Sequence, residues 1–288
     1  MSSKILQKNH SFALGNHAVP LQVRWEYGKI ESVKAPEIPS GLNRALVTLG
    51  IFSRLSGQTL SRMITPPYQL RELIRQCDRL GVGSVNLTNI TALFTGLVLA
   101  LQTAYTLSAF GARLYIGEVV AMSLVRELGP VLTALMVGGR VGSGIAAELG
   151  TMAVTEQVDA IRSMGADPVR KLVVPRVWAV VITLPLLTVL ADGMGILGGL
   201  LISVFEEGST ASFYFQHVFR LMTFHDIGSG LAKTVCFAFM IAIIGCSNGI
   251  NARGGADGVG RAATNTVYAS AIGILASDFF LTKIFLSL

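Results

Sequence analysis

Charged residues are scarce in this chain. Asp, Glu, Lys and Arg make up 14% of its 288 residues, whereas hydrophobic residues make up 51%. Soluble domains are about a quarter charged, so the composition excludes an ordinary soluble domain and indicates a protein that crosses a membrane several times. Cysteine is scarce as well. The three copies, Cys77, Cys236 and Cys246, are odd in number and two lie in one apolar stretch, so they predict neither a disulfide framework nor a metal site.

The motifs of common catalytic sites are also missing. The chain has no G-x-x-x-x-G-K-[ST] phosphate loop, no H-E-x-x-H pair and no G-x-S-x-G elbow. Its four histidines are not grouped with cysteine or aspartate at the spacing of metal ligands. We therefore expect a protein that is not an enzyme and holds no metal or cofactor of its own. If ATP drives it, another subunit must bind the nucleotide.

Apolar runs are plentiful. Five of them are long enough for a helix that crosses a bilayer, which takes about 20 residues. These runs lie at 80–112, 117–147, 177–204, 227–252 and 262–288. The predicted fold class is therefore all-α, a polytopic membrane protein with about five transmembrane helices.

The distribution of basic residues predicts the orientation, because cytoplasmic loops carry more Lys and Arg than outer loops. Residues 1–85 hold eleven of them, the 148–176 loop holds four and the 249–263 loop holds two. On the opposite side the basic residues are Arg113, Arg220 and Lys283. The N-terminus is therefore predicted to be cytoplasmic, and the 205–226 loop and the C-terminus to face outside. The net charge of +6 then reflects basic cytoplasmic loops rather than nucleic-acid binding.

Composition divides the chain into three regions. Residues 1–40 are polar, lack the apolar core of a signal peptide and are predicted to form a cytoplasmic tail. Residues 41–85 contain basic amphipathic stretches that predict helices lying on anionic lipid headgroups. A solvated helix packed on another protein domain fits the same pattern. Residues 86–288 hold the apolar runs and form the predicted transmembrane domain.

The stretch Leu124–Arg176 is the most informative part of the chain, because two long apolar runs are joined here by a short half-polar segment. Within that segment apolar residues recur at helical spacing, at Val158, Ile161 and Met164. Thr155 is the predicted N-cap of this short helix. Asp167 is the predicted N-cap of the next helix, with Pro168 at its first position. A compact cytoplasmic helix of this kind is suited to docking a partner.

Charges inside the apolar runs predict a second special region, since each costs roughly 2.5–3.5 kcal/mol at the centre of a membrane helix. Glu127 can pair with its neighbour Arg126 or with Lys233 across the bundle. Such a pair either fixes the packing of the helices or provides a polar rim for a lipid headgroup on an apolar cavity. Asp192 and Asp278 fit a proton relay and structural ion pairs equally well.

Glycines four residues apart predict close contacts between helices. The pairs are Gly138 and Gly142, Gly195 and Gly199, and Gly245 and Gly249. Packing within one subunit explains them as well as contact between two copies does.

A family resemblance is carried by the segment ELGPVLTALMVGGRVGSGIAAELGTMAVTEQVDAIRSMGADPVRKLVVPRVWA. This segment strongly resembles the MlaE/YrbE permeases of MCE-type lipid ABC transporters. The likeness continues through LPLLTVLADGMGILGG and into NGINARGGADGVGRAATNTVYASAIGILASDFFLT. It covers Leu42 to Leu288 and leaves the residues before it without a counterpart.

The resemblance implies a homodimeric permease in an inner membrane that moves phospholipids or related lipids between inner and outer membranes. Two copies of a cytoplasmic ABC ATPase would bind ATP and Mg²⁺, and a small regulatory subunit is a further candidate partner. A periplasmic ring of MCE-domain proteins would meet the outer face, at the 206–226 loop and the C-terminal end. No nucleic acid is implied.

The resemblance also implies site residues. The lipid pocket at the dimer axis would be lined by Leu99, Gln102, Leu107, Phe110, Glu127 and Leu128, with Arg126 and Lys233 as nearby charges. The segment Thr155–Pro168 would be a coupling helix seated in a groove of the ATPase. Its coupling residues would be Glu156, Gln157, Val158, Asp159, Ile161, Arg162, Met164, Asp167 and Pro168. No residue is implied to be catalytic or to bind a metal.

Two functions of other classes stay open on the residues alone. A membrane scaffold that only anchors an MCE assembly would be indifferent to changes at Glu127 and Lys233. An ion-coupled secondary transporter would use Asp192, Asp278 and Glu127, and would work without an ATPase.

Overall fold

Helices form every regular element among the residues that the computed structural model describes, which are 40–65, 69–206 and 208–287. The predicted tail, residues 1–40, lies outside them except for its last residue. Residues 44–288 form one compact unit. The described helices are α1 Ser40–Ile64, α2 Leu70–Ser108, α3 Ile116–Val154, α4 Gln157–Ser163, α5 Val169–Phe205, α6 Ala211–Leu221, α7 Phe224–Ile250 and α8 Gly255–Ser287.

Five of these helices, α2, α3, α5, α7 and α8, are long and apolar enough to cross a membrane. This confirms the predicted all-α architecture and the number of spans. The first span is longer than its apolar run because the amphipathic segment before it belongs to the same helix. α2 continues from Leu70 through a π turn at Cys77–Gly81 and a 3₁₀ turn at Val82–Ser84 without a break.

Other π turns interrupt the α-helical winding of α3 and α5. They lie at Leu124–Leu128, Gly138–Gly142 and Val169–Val173. A π turn is wound more widely than an α-helical turn and occurs frequently at functional sites. In α3 the π turns carry three of the five charged residues of the span, Arg126 and Glu127 in the first and Arg140 in the second.

Two pairs of spans approach so closely that no side chain fits between them. A Cβ atom added to Gly96 of α2 would lie 2.0 Å from the carbonyl oxygen of Gly195 in α5. One added to Gly245 of α7 would lie 2.9 Å from the carbonyl oxygen of Gly142 in α3. Small residues permit such approach between membrane helices. At these positions the spaced glycines serve contacts within one subunit.

The largest buried cluster lies where α3, α5 and α7 meet, with Leu149, Leu184 and Phe237 at 0% exposure. Val158 and Ile161 of the short helix α4 belong to the same cluster. The connector between the second and third spans is therefore packed onto the bundle by its apolar side.

The predicted outer loop 205–226 contains the amphipathic helix α6. Tyr214 and Val218 on its inner side are buried against the bundle. The Tyr214 hydroxyl donates a hydrogen bond to the carbonyl oxygen of Ile196 in α5 at 3.2 Å. Burial raises the pKa of the Tyr214 phenol above its ordinary value.

Candidate functional site

Lys233 of α7 is the centre of an ion cluster inside the bundle. Its side chain is 2% exposed, and its Nζ lies 2.6 Å from Oε2 of Glu127 and 3.3 Å from Oδ1 of Asp278. The ammonium also donates to Oγ1 of Thr282 at 2.7 Å and to the carbonyl oxygen of Arg126 at 3.1 Å. The cluster joins α7 to α3 and α8. Of the two partners predicted for Glu127, the structure therefore gives Lys233.

Arg126, the neighbour of Glu127, is directed to a different carboxylate. Its Nε donates to Oδ1 of Asp226 at 2.6 Å, and its Nη2 contacts the same oxygen. Asp226 is 2% exposed and forms a capping box with Thr223 at the start of α7. Its Oδ2 accepts hydrogen bonds from the backbone N–H and the hydroxyl of Thr223. The two adjacent charges of α3 are thus both held by α7.

A cavity of about 430 Å³ lies between α2 and α3. Three residues implied by the resemblance line it together: Leu99, Gln102 and Leu128. Four others complete its wall: Thr91, Phe94, Thr95 and Val98. Leu128 of the cavity wall directly follows Glu127 of the charged cluster, so the cavity and the cluster are neighbours along α3.

Three implied pocket residues do not line this cavity: Glu127 belongs to the Lys233 cluster, and Leu107 and Phe110 lie elsewhere in the single subunit. Leu107 packs, half-buried, against a cluster that includes Ala104 and Ile116. Phe110 is 79% exposed in the turn after α2. Neither residue lines the cavity between α2 and α3.

The connector helix α4 begins at Gln157, and Thr155 does not cap it. The Thr155 hydroxyl donates to the carbonyl oxygen of Thr151 at 2.8 Å, in the last turn of α3. Glu156 precedes α4 with a φ of 58°, in the left-handed region. The predicted cap was wrong because a threonine hydroxyl can bond back to the preceding turn as readily as forward to the next helix.

The two sides of α4 have different roles. Val158 and Ile161 are 4% and 7% exposed and pack into the subunit's own core. On the other side Asp159 and Arg162 form an exposed ion pair at 3.0 Å, and Met164 is 71% exposed. The predicted coupling residues that are exposed are Glu156, Gln157, Asp159, Arg162 and Met164.

Asp167 caps α5 as predicted. Its Oδ1 accepts a hydrogen bond from the N–H of Val169 at 3.1 Å, and Pro168 has the helical φ of −61°. The same carboxylate lies 2.8 Å from Nη1 of Arg62 in α1. Asp167 therefore ties the N-terminal helix to the base of the third span.

Glu148 of α3 joins three spans through shared ion pairs. Its Oε1 lies 3.0 Å from Arg176 of α5 and 3.3 Å from Arg79 of α2. Of the two aspartates left open by the sequence, Asp278 belongs to the Lys233 cluster. Asp192 is different, because its buried Oδ1 has neither an ion-pair partner nor a hydrogen-bond partner among the described residues.

The chain is similar to known proteins over most of its length. The family model described as Permease MlaE matches residues 73–284. A probable ABC transporter permease protein of Rickettsia prowazekii is 44% identical over 238 residues, which are 83% of this chain and 92% of the relative. The chain belongs to the MlaE permease family.

Two further relatives of this MlaE-family chain come from distant organisms. The intermembrane phospholipid transport system permease protein MlaE of Haemophilus influenzae is 39% identical, over 74% of this chain and 82% of its own. The chloroplastic protein TRIGALACTOSYLDIACYLGLYCEROL 1 of Arabidopsis thaliana is 36% identical, over 80% of this chain and 66% of its own. The MlaE-family chain is an ABC transporter permease subunit and not itself the ATPase. In such a transporter the ATP is used by a partner ATPase.

Two polar residues of the site in this MlaE-family permease, Asp226 and Thr282, were not predicted, and Asp278 was predicted only as a relay or structural charge. Two patterns in the sequence point to them. Thr223-x-x-Asp226 has the spacing of a capping box. Asp278 and Thr282 are four residues apart, so they lie on the same face of a helix.

Proposed function

We propose that this permease moves phospholipids between an inner and an outer membrane through a pocket formed where two copies of the chain meet. The observation that carries the proposal is that an apolar cavity and a charged cluster are neighbours along α3, through the adjacent residues Leu128 and Glu127. A phospholipid needs a long apolar slot for its acyl chains and a few polar groups for its head. The phospholipid transport named for the Haemophilus influenzae relative agrees with this chemistry.

The exposure of Gln102 supports a second copy of the chain that covers the cavity. Its side chain is exposed in the single subunit, beside Phe94 and Val98, which are 61% and 53% exposed. An amide without hydrogen-bond partners in an apolar medium costs roughly 2–7 kcal/mol, so this edge of α2 favours a covering surface or a lipid headgroup. In the proposed homodimer, Leu107 and Phe110 complete the pocket at its outer end.

The exposed side of α4 is the proposed docking site for a dimer of cytoplasmic ABC ATPases, which bind ATP and Mg²⁺. Val158 and Ile161 anchor α4 in the core, and Asp167 links the adjoining helix to Arg62. Movement of the ATPases therefore reaches α3 and α5 through packed side chains. ATP-driven closure would shift the permease between outward-open and collapsed states.

The proposed orientation places the N-terminus and α4 in the cytoplasm and α6 and the C-terminus in the periplasm of an inner membrane. Residues 41–85 would lie at the cytoplasmic headgroups, and residues 86–288 would form the permease domain. At the outer end, Phe205 and Phe219 are 80% and 69% exposed. They offer an apolar surface to a periplasmic MCE-domain ring.

Native mass spectrometry of the detergent-purified complex, with lipid extraction from the same sample, tests the proposal. We expect a dimer with two ATPases and phospholipid enriched above the detergent background. Leu99→Trp should fill the cavity and lower the bound lipid several-fold while leaving the assembly intact. Leu186→Trp is the matched control, because Leu186 is a 60% exposed leucine of α5 that does not line the cavity.

Other outcomes would contradict the proposal in distinguishable ways. An intact assembly without lipid above background would favour a scaffold. Lipid content that is equal in Leu99→Trp and Leu186→Trp would remove the cavity from the transport path. Transport by the permease without the ATPase, driven by an ion gradient, would favour a secondary transporter.

A further inference from the structure

A second cavity, of about 280 Å³, lies at the end of α5 that follows the connector, and it shares no lining residue with the first. Its wall has two chemically different parts. One part is apolar and includes Leu70, Leu73, Trp178 and Ile182. The other part contains the guanidinium groups of Arg62 and Arg170. The cavity is therefore amphiphilic.

The two arginines differ in their partners: Arg62 has a carboxylate and Arg170 a backbone carbonyl. Arg62 lies 2.8 Å from the carboxylate of Asp167. Arg170 donates from Nη2 to the carbonyl oxygen of Thr65 at 3.0 Å, and no described carboxylate lies at ion-pair distance from it. Its Nε is buried and has no acceptor among the described residues. A buried guanidinium N–H without an acceptor is unfavourable, so the cavity is suited to an anion that the protein itself does not supply.

The apolar part of the cavity identifies the class of anion. Leu70 and Ile182 are 63% and 40% exposed and belong to helices that are long and apolar enough to span a membrane. Tryptophan and arginine are the residues that anchor proteins at the membrane interface. Basic groups near the cytoplasmic surface attract anionic lipids. A free phosphate would use the arginine and leave the apolar wall without a partner.

We propose that this cavity binds one anionic phospholipid of the cytoplasmic leaflet, with its phosphate on Arg170 and an acyl chain along Trp178 and Ile182. This lipid is distinct from the transported one, because the two cavities have no residue in common. It would hold the junction between α1 and α2 against the base of α5, where Asp167 and Arg62 already meet.

Trp178 provides a direct probe in the full-length chain. The chain has two tryptophans, and the other is Trp25, so a Trp25→Phe background reports from Trp178 alone. The protein is reconstituted in phosphatidylcholine nanodiscs that contain a small fraction of dibrominated phosphatidylglycerol or of dibrominated phosphatidylcholine. We expect phosphatidylglycerol to quench the fluorescence at a lower fraction than phosphatidylcholine does.

Three variants locate the effect. Arg170→Gln should weaken the preference for phosphatidylglycerol about tenfold, the effect of losing one hydrogen-bonded charge. Ile182→Phe keeps both arginines and narrows the apolar part, so it should weaken quenching even if Arg170→Gln does not fold. Arg71→Gln is the matched control, because Arg71 is exposed on the same helix as Leu70 and does not line the cavity.

Equal quenching by the two brominated lipids would overturn the proposal, and so would equal preference in Arg170→Gln and Arg71→Gln. Full recovery of fluorescence on adding millimolar inorganic phosphate would show a site for free phosphate and overturn the lipid assignment. Leu99→Phe alters the transport pocket without adding a second tryptophan, and it should leave this quenching unchanged. The two lipid proposals can therefore fail separately.

Discussion

The ammonium of Lys233 lies 2.6 Å from a carboxylate oxygen of Glu127 and 3.3 Å from one of Asp278, and the lysine is almost completely buried. One cation thus faces two carboxylates from two other spans. Attraction between them fixes how α3, α7 and α8 pack against one another. Removal of the cation leaves two negative charges close together in an apolar bundle, which is the costly kind of change at a buried ion pair.

Lys233→Met should lower the free energy of unfolding by about 3–5 kcal/mol, because it leaves the carboxylates of Glu127 and Asp278 uncompensated. The measurement is denaturant titration in mixed micelles, followed by circular dichroism. Lys283→Met is the control, because Lys283 is exposed near the end of the same bundle. The triple variant Lys233→Met/Glu127→Gln/Asp278→Asn should recover part of the loss. Equal stability of the two single variants would show that the cluster does not hold the helices together.

Ile161→Asp and Met164→Asp should have different effects, although both place a charge on the connector. Ile161 is 7% exposed in the core, so its replacement should destabilise the permease itself by several kcal/mol, roughly 3 or more. Met164 is 71% exposed, so Met164→Asp should leave the thermal midpoint unchanged and weaken co-purification with the ATPase. Met164→Leu is the control. Normal ATPase association of Met164→Asp would remove this residue from the docking surface.

Gly96→Ala should be far more damaging than Gly193→Ala. A Cβ atom at Gly96 would lie 2.0 Å from the carbonyl oxygen of Gly195, whereas one at Gly193 meets nothing within 4 Å. We expect the first change to force α2 and α5 apart at a cost of about 1–3 kcal/mol. The second should be neutral or slightly stabilising, since alanine favours the helix. Thermal unfolding of the purified variants gives the comparison, and similar midpoints would contradict the close helix contact.

Tyr214→Phe should cost about 1 kcal/mol at neutral pH, because it removes the hydrogen bond to Ile196. The pH dependence has a definite sign. Burial raises the pKa of the phenol in the folded state above its ordinary value of 10.0. The contribution of the neutral phenol to the free energy of unfolding is therefore fully present below the ordinary value. This contribution is lost as the pH rises from the ordinary pKa of the phenol to its raised pKa in the folded state. Wild type should therefore lose stability above pH 10 more steeply than Tyr214→Phe does, roughly in line with the tyrosine pKa of about 10.

The matched control for this experiment is Tyr115→Phe, since Tyr115 is 50% exposed. That variant should follow the wild-type pH profile. Identical alkaline profiles for wild type and Tyr214→Phe would show that Tyr214 does not make α6 sensitive to pH.

The sequence predicted the spans and one long-range contact, because both follow from strong local signals. Long apolar runs leave few alternatives to membrane helices, and a charge such as Glu127 needs a partner among the few other intramembrane charges. The pair with Lys233 was accordingly one of two predicted alternatives. Asp167 and Pro168 were also assigned correctly, since a helix start is encoded by neighbouring residues.

The remaining features depend on packing that local patterns do not encode. The spacing of Val158, Ile161 and Met164 predicts a helix with an apolar side, but it does not say whether that side meets the subunit's own core or a partner. The structure shows that Val158 and Ile161 meet the core while Met164 is exposed. The wall of the cavity between α2 and α3 likewise combines residues of two spans, which local patterns do not bring together.

The π turn at Leu124–Leu128 makes the length of α3 as important as its chemistry. Each residue of an α-helix turns the chain by about 100°. Deleting one residue from this segment would therefore rotate the rest of the span by about that angle relative to Glu127. Gly142, which now faces α7, would point away from it. Homologous chains should therefore preserve the number of residues in this segment.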